Sequence, residues 1–249
     1  MEITAAEARD VFEYFRPHAV CAQAPDGSYE AGWREWANML EAGFKQYNLD
    51  RYFQSPEELC RLIGIVQGTG FSREIESLRL SDGASGLAIN GWHSHPEIWA
   101  PMASSGGMTR KYRASWTSGL VDSLRNPNFP AEILARVNDP LHLVVLPIPS
   151  TAFAGETIQV RIALLNELHV KGHGQLTFEI VTPTGNSQVL SRKAIQIAGD
   201  PLHFVQDLEN EEATPKGASG YYRFHAELCM PDGHQLEAER PVLVGNQDE

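Results

Sequence analysis

From Leu141 onward the chain is cut into short β-forming runs, and this regular punctuation limits the fold more than any other feature. Leu141-His142-Leu143-Val144-Val145-Leu146, Thr157 to Leu164 and Gln175 to Ile180 are rich in β-branched and aliphatic residues with partial alternation. Ser187 to Ile197, Tyr221 to Leu228 and Gln235 to Val244 continue the series. Ala154-Gly155-Glu156, Pro183-Thr184-Gly185-Asn186 and Pro231-Asp232-Gly233 supply turn chemistry between them. Strands so spaced predict an antiparallel β-sandwich of immunoglobulin type over residues 141–249. The acidic tract Asp207 to Glu212 reads as a solvated loop within it.

Residues 1–140 have a different texture, mainly helical. Thr4-Ala5-Ala6-Glu7 is a capping-box pattern that predicts a helix to about Phe15, ended by Arg16-Pro17. His18 to Ala22 reads as a brief strand, followed by the turn residues Pro25-Asp26-Gly27-Ser28. Trp33, Trp36, Leu40, Phe44 and Tyr47 recur at helical spacing, so an amphipathic helix is expected from Glu30 to about Tyr47. Ser55-Pro56-Glu57-Glu58 is a strong helix start: serine caps, proline suits the first turn, and glutamates favour the positive end of the dipole. The apolar face then runs from Leu59 to about Leu80, and Gly68 and Gly70 inside it mark a kink or a tight helix contact. Trp116 to Arg125 and Phe129 to Val137 are expected as two further short helices.

Charge and cysteine usage exclude several classes. The net charge is −12 with 20 basic and 32 acidic residues, and no basic run capable of neutralising phosphates occurs, so nucleic acid is not an expected partner. Cys21, Cys60 and Cys229 are far apart and lack CxxC spacing, which argues against a disulfide framework and against a thiolate zinc site. No apolar stretch is long enough for a membrane span, and Met1-Glu2-Ile3-Thr4 does not open a signal peptide, so the chain as written reads as cytoplasmic. Gly68-Thr69-Gly70 lies inside a helical pattern and lacks a third glycine, and no GxSxG elbow is present. Nucleotide binding and acyl transfer therefore have no anchor, and no cofactor is expected.

The chemically dense stretch is Gly86-Leu87-Ala88-Ile89-Asn90-Gly91-Trp92-His93-Ser94-His95-Pro96-Glu97-Ile98-Trp99. Leu87, Ala88 and Ile89 form a short apolar run that predicts a strand buried on both faces. Asn90, Trp92, His93, His95, Glu97 and Trp99 then bring amide, indole, imidazole and carboxylate to the place where a parallel strand opens into its C-terminal loop. Trp92 reads either as a ligand platform or as a core aromatic at a strand end. His93 and His95, at i and i+2, with Glu97 offer an incomplete zinc ligand set.

Several segments in order resemble the end of the catalytic barrel and the following sandwich of glycoside hydrolase family 2, the group of β-galactosidase-, β-glucuronidase- and β-mannosidase-like enzymes. They are Tyr52-Phe53-Gln54-Ser55, Ile75-Glu76-Ser77-Leu78-Arg79, Ser85 to Trp92, Ser118 to Pro127, Pro140 to Val145, and Ala154-Gly155-Glu156-Thr157-Ile158-Gln159-Val160 through Leu165-Asn166-Glu167. The resemblance implies an α/β barrel remnant over residues 1–140, followed by an all-β immunoglobulin-like sandwich. It makes Leu87 to Trp92 the eighth barrel strand, with Trp92 beneath the sugar and Asn90 and His93 as hydroxyl partners.

The departures carry equal weight. Retaining glycosidases need two carboxyl groups about 5 Å apart, which the family places on the fourth and seventh strands. No acid/base Asn-Glu pair occurs outside the expected sandwich, since Asn166-Glu167 and Asn210-Glu211 both fall within it. Ser28-Tyr29-Glu30-Ala31-Gly32-Trp33 is distantly similar to the nucleophile pattern, shifted by one residue, and Glu30 equally suits a helix start. The expectation is a C-terminal fragment of a glycoside hydrolase that contributes to a carbohydrate pocket without the carboxylate pair. Its apolar helix faces then call for the N-terminal part of the enzyme or a homo-oligomer. The alternative is a non-catalytic sandwich module that binds carbohydrate or protein.

Overall fold

The computed structural model describes residues 2–4, 38–81, 86–90, 95–97, 113–116, 120–121, 125–128, 130–230 and 232–246. The expected helix to Phe15, the strand near His18 and the first turns of the helix from Glu30 lie outside these residues. The chain divides into two compact units, Met1–Val137 and Asn138–Glu249.

In the first unit, Glu2–Thr4 is strand β1. Thr4 is therefore extended, the conformation an N-cap residue adopts. Residues 38–46 are helical, with Phe44 buried and Tyr47 exposed just beyond. Helix α1, Pro56–Arg79, starts where the sequence indicates: the Ser55 hydroxyl accepts from the Glu58 amide at 3.1 Å, and proline occupies the first turn. Ala88–Asn90 is strand β2, His95–Glu97 is β3, Arg113–Trp116 is β4, and Ala131–Val137 is helix α2. Phe71, Ile75, Leu120, Leu134 and Val137 form the core of this unit, with Leu78 and Leu87 against it.

Gly68 is where the two helices meet. A Cβ there would lie 2.9 Å from Ile133 Cδ1 and 3.1 Å from the Pro130 Cα, whereas nothing lies within 4 Å of one at Gly70. The pair of glycines thus marks a tight contact at the first position only. The helix expected from Trp116 to Arg125 does not form among its described residues. Trp116 ends β4, Val121 bridges Pro127, and Arg125 has φ 69, which a right-handed helix excludes. The burial expected on both faces of the strand near Leu87 is also corrected. Leu87 is half-buried and Ala88 exposed, so these two residues are not covered on both faces.

The second unit is a β-sandwich. Its strands are β5 Leu141–Ile148, β6 Thr151–Phe153, β7 Ile158–Asn166, β8 Gly172–Val181, β9 Ser187–Ile197, β10 Val205–Ala213, β11 Gly220–Cys229 and β12 Gln235–Gly245. One sheet has the order β10-β7-β5 and the other β6-β12-β11-β8-β9. All pairs are antiparallel except β6 with β12. Alternate residues of both sheets, among them Ile158, Val160, Ile162, Phe178, Phe224 and Val242, fill one core, in which the Phe178 and Phe224 rings sit 6.2 Å apart. Turns fall where the sequence marks them. At Thr182–Asn186 the Gly185 amide donates to the Thr182 carbonyl at 2.9 Å, and Gly185 has φ 87.

Asp207 to Glu212 is not a loop but the middle of β10, paired with β7. The tract keeps its charge on a strand because each acid finds a partner there. Arg161 holds Asp207 at 2.6 Å, Lys193 bridges Glu209 and Glu211 at 3.0 Å each, and Gln159 donates to Glu212 at 2.8 Å. Lys193 belongs to β9, an edge of the other sheet. Gln206 on β10 also donates to the Gln196 carbonyl and accepts from the Ala198 amide. Side chains therefore clasp this side of the sandwich, and on the other side the chain crosses from one sheet to the other between β5 and β6. Both long edges are thereby protected from pairing with other chains.

Tyr222, buried at the start of β11, donates its hydroxyl proton to the carbonyls of Lys216 and Ala218, at 3.2 and 3.1 Å. Such a tyrosine corner is a hallmark of immunoglobulin-like sandwiches.

Candidate functional site

Strands β1 and β2 run parallel in the register Glu2↔Ala88, Ile3↔Ile89, Thr4↔Asn90. Their carboxyl ends coincide, so a hydroxyl-bearing and an amide-bearing residue occupy neighbouring positions at the end of a parallel pair. In parallel sheets ligands bind at that end. Asn90 is the last residue of β2. Thr4 joins it there, a neighbour the sequence does not reveal because residues 1–10 carry a helix-start signal. Trp92 and His93, together with Glu30 and Trp99, lie outside the described residues.

Five residues beyond Asn90 the chain enters an antiparallel ribbon, in which β3 pairs with β4 in the register His95↔Trp116, Pro96↔Ala114 and Glu97↔Arg113. The register shifts between His95 and Pro96. Among the described residues no group of three or more His, Cys, Asp or Glu side chains is arranged to hold a metal ion.

Helix α1 buries two polar residues, Ser72 and Glu76, on the stripe that holds Phe71 and Ile75. A carboxylate at 2% exposure is costly unless partnered. Its position could have been found from the sequence, because Glu76 falls i+4 from Ser72 and next to Ile75 on the same apolar face.

The two Asn-Glu pairs are structural. The Asn166 amide group donates to the Val170 carbonyl at 2.9 Å and accepts from the Val170 amide at 3.0 Å, closing a turn. Glu211 accepts from Ser191 and pairs with Lys193. On the outer face of the five-stranded sheet, Ser187 donates to Glu179 at 2.6 Å and His225 Nδ1 lies 3.1 Å from the other Glu179 oxygen. The carboxylate sits between serine and histidine, so the base does not reach the hydroxyl as a nucleophilic triad requires. Lys193 has its pKa raised above the ordinary lysine value, chiefly by its hydrogen bond to Glu211 and then by that to Glu209. Asp232 is held below the ordinary carboxyl value by its hydrogen bond to His234. Both groups belong to ion pairs at the surface.

No family model matches the sequence, and no curated protein matches it. Among solved structures, the chain is similar to a β-D-mannosidase from Dictyoglomus thermophilum, with a TM-score of 0.52 and 15% identity, covering 77% of this chain and 20% of that one. A superoxide reductase from Ignicoccus hospitalis covers 45% of this chain and 86% of its own at a TM-score of 0.34 and 15% identity. The CARDB domain of a Pyrococcus furiosus protein covers 43% and 94% at a TM-score of 0.34 and 13% identity. The likeness to the mannosidase is one of fold, and this chain spans about a fifth of that protein's length.

Proposed function

We propose that these 249 residues are the C-terminal part of a glycoside hydrolase of the β-galactosidase, β-glucuronidase and β-mannosidase kind, and that they form one wall of its sugar pocket. The observation that carries this reading is the fold similarity to a β-D-mannosidase over 77% of the chain. Residues 1–140 then correspond to the last βα units of a barrel, with β2 as the eighth strand, and residues 141–249 to the sandwich that follows. The parallel pairing of β1 with β2, with Asn90 at its carboxyl end, suits a strand of such a barrel.

In this reading Trp92 lies beneath the pyranose. An indole face offers a flat apolar surface to the C–H groups of the ring, while Asn90 and His93 bind hydroxyls. The carboxylate pair of retaining hydrolysis belongs to barrel strands outside these residues, supplied by the N-terminal part of the enzyme, while the apolar helix faces are covered by that part or in a homo-oligomer. The chain alone turns over no substrate. An assay with aryl β-glycosides tests this: no release of the phenol above buffer is the expected result. Hydrolysis that Glu30→Gln abolishes would overturn it by making Glu30 a nucleophile.

A second reading, a non-catalytic binding module, is favoured by the completeness of the sandwich, which has its own core and two protected sides. It requires saturable glycan binding at the stretch after β2 that Trp92→Ala or Trp99→Ala removes. Titration calorimetry against a glycan panel separates it from the first, in which an isolated pocket wall binds nothing there.

A further inference from the structure

We propose that the peptide bond between Asp200 and Pro201 is an autoprocessing site, at which the chain cuts itself. The Asp200 carboxylate is the nucleophile, and the His169 imidazole is the donor that stabilises the carbonyl under attack. The site lies wholly within the sandwich, where the β9–β10 connection meets the β7–β8 turn, and does not rest on the pocket-wall reading.

Several features converge on this one bond. His169 Nδ1 lies 3.2 Å from the Asp200 carbonyl oxygen. A carbonyl only accepts, so Nδ1 carries the proton and donates it. His169 is held in the left-handed region at φ 55, a conformation that costs a residue with a Cβ and that clusters at functional sites. Gly199, also at φ 55, fixes the other partner: a Cβ there would lie 2.5 Å from the Val170 carbonyl oxygen and 2.6 Å from that of His169, so the two loops touch through their backbones. Asp200 Oδ1 accepts from the Leu202 amide at 2.8 Å. This bond spans Pro201 and folds the carboxylate over the Asp200 to Pro201 peptide instead of out into solvent.

The reaction balances with water as its one co-reactant. A carboxylate oxygen of Asp200 attacks the carbonyl carbon of the same residue, and the electron pair of the C=O bond moves to the oxygen that His169 holds. Attack within one residue needs no encounter, which raises its rate. Collapse of the oxyanion breaks the C–N bond, and the Pro201 nitrogen takes a proton from water and leaves as an amine. The hydroxide so formed opens the remaining cyclic anhydride, which frees the Asp200 side chain and a new terminal carboxyl group. Leu202, next in the loop, is 83% exposed, so water reaches the site. The cut falls between the end of β9 at Ile197 and the start of β10 at Val205, and both pieces keep their strand pairs. The nicked sandwich therefore stays together until it is denatured.

The sequence supplies a matched control, because Asp-Pro-Leu-His occurs at residues 200–203 and again at residues 139–142. The local sequence is the same, so a difference in cleavage reports the fold. Intact-mass analysis and denaturing gels of the purified full chain, incubated at neutral pH for days, test the proposal. The expected products are residues 1–200 and 201–249, with Pro201 as a new amino terminus and masses that sum to the chain plus one water, while the bond after Asp139 stays whole. Asp200→Ala abolishes the cut. His169→Gly keeps the left-handed backbone accessible but removes the donor, and slows the cut about tenfold or more. His169→Asn, which tolerates that backbone and keeps an N–H donor, retains it. The proposal is overturned if the chain stays intact, if both Asp-Pro bonds break at equal rates, or if His169→Gly cuts as fast as the parent. Cleavage after Asp200 as fast in urea as in the folded chain would also overturn it, since the bond would then break without the fold. The aryl glycoside assay stands apart from all these outcomes.

Discussion

At Gly68 and Gly70, two residues apart on one helix, the same substitution has opposite expected effects. Replacing a helical glycine by alanine gains about 1 kcal/mol in propensity, and at Gly70, with open space around it, nothing offsets that gain. At Gly68 the added methyl meets Ile133 and the Pro130 backbone. Overpacking of this kind costs about 1–3 kcal/mol. Thermal melts should therefore rise for Gly70→Ala and fall for Gly68→Ala; equal shifts would mean that the two helices do not meet at Gly68. Tyr222 allows a second test in the other unit. Tyr222→Phe removes the one hydroxyl proton shared between the two carbonyls of the tyrosine corner, and at roughly 0.5–1.5 kcal/mol for a net hydrogen bond urea unfolding should show a loss of about that size with an unchanged m-value. The helix contact was legible as an alternative to a kink, because glycine inside an apolar stripe means one or the other. The tyrosine corner has no spacing signal of its own in the sequence, although Tyr222 closely follows the Gly217 and Gly220 turn residues that bend the chain back to it.

Among elements, the β9–β10 clasp is the one that charge controls. Lys193 bridges two glutamates at the surface, so its contribution is screened by salt. Lys193→Ala should lower the melting temperature at low ionic strength, and the difference should shrink in about 1 M salt, where the screening length is near 3 Å. The raised lysine pKa fixes the pH window. The folded state binds this proton more tightly than the unfolded chain, so the stabilisation is fully present at neutral pH and is lost as the pH rises through the raised value in strong alkali. A parent and a Lys193→Ala protein that lose stability in parallel there would contradict the assignment.

The same elements show what the sequence could reveal. Strands whose alternation meets one core, such as β8 and β11, were readable from side-chain period alone. Strand β10 was not, because four acids in six residues look solvated until Arg161 and Lys193 are brought beside them from other strands. The start of α1 was legible in Ser55 and Pro56, whose effects are local. The neighbouring of Thr4 and Asn90 was not, since it comes from pairing between strands more than eighty residues apart. Trp92 and His93 lie outside the described residues.

For the whole molecule, the two units differ in how complete they are. The sandwich has its own core and protected sides, so residues 138–249 expressed alone should unfold cooperatively; loss of that transition would show that the first unit is needed to hold it. The first unit has one parallel strand pair among its described residues and exposed apolar side chains on α1, Leu62, Ile65 and Val66. No helix among the described residues is long and apolar enough to cross a membrane. Under the proposal that this chain is the terminal part of a larger barrel enzyme, the exposed stripe of α1 would meet the rest of that barrel. The most direct measurement is turnover of aryl β-mannoside, β-galactoside and β-glucuronide by the purified chain. No release of the phenol above buffer is the predicted result, and hydrolysis that disappears in Glu30→Gln would contradict it.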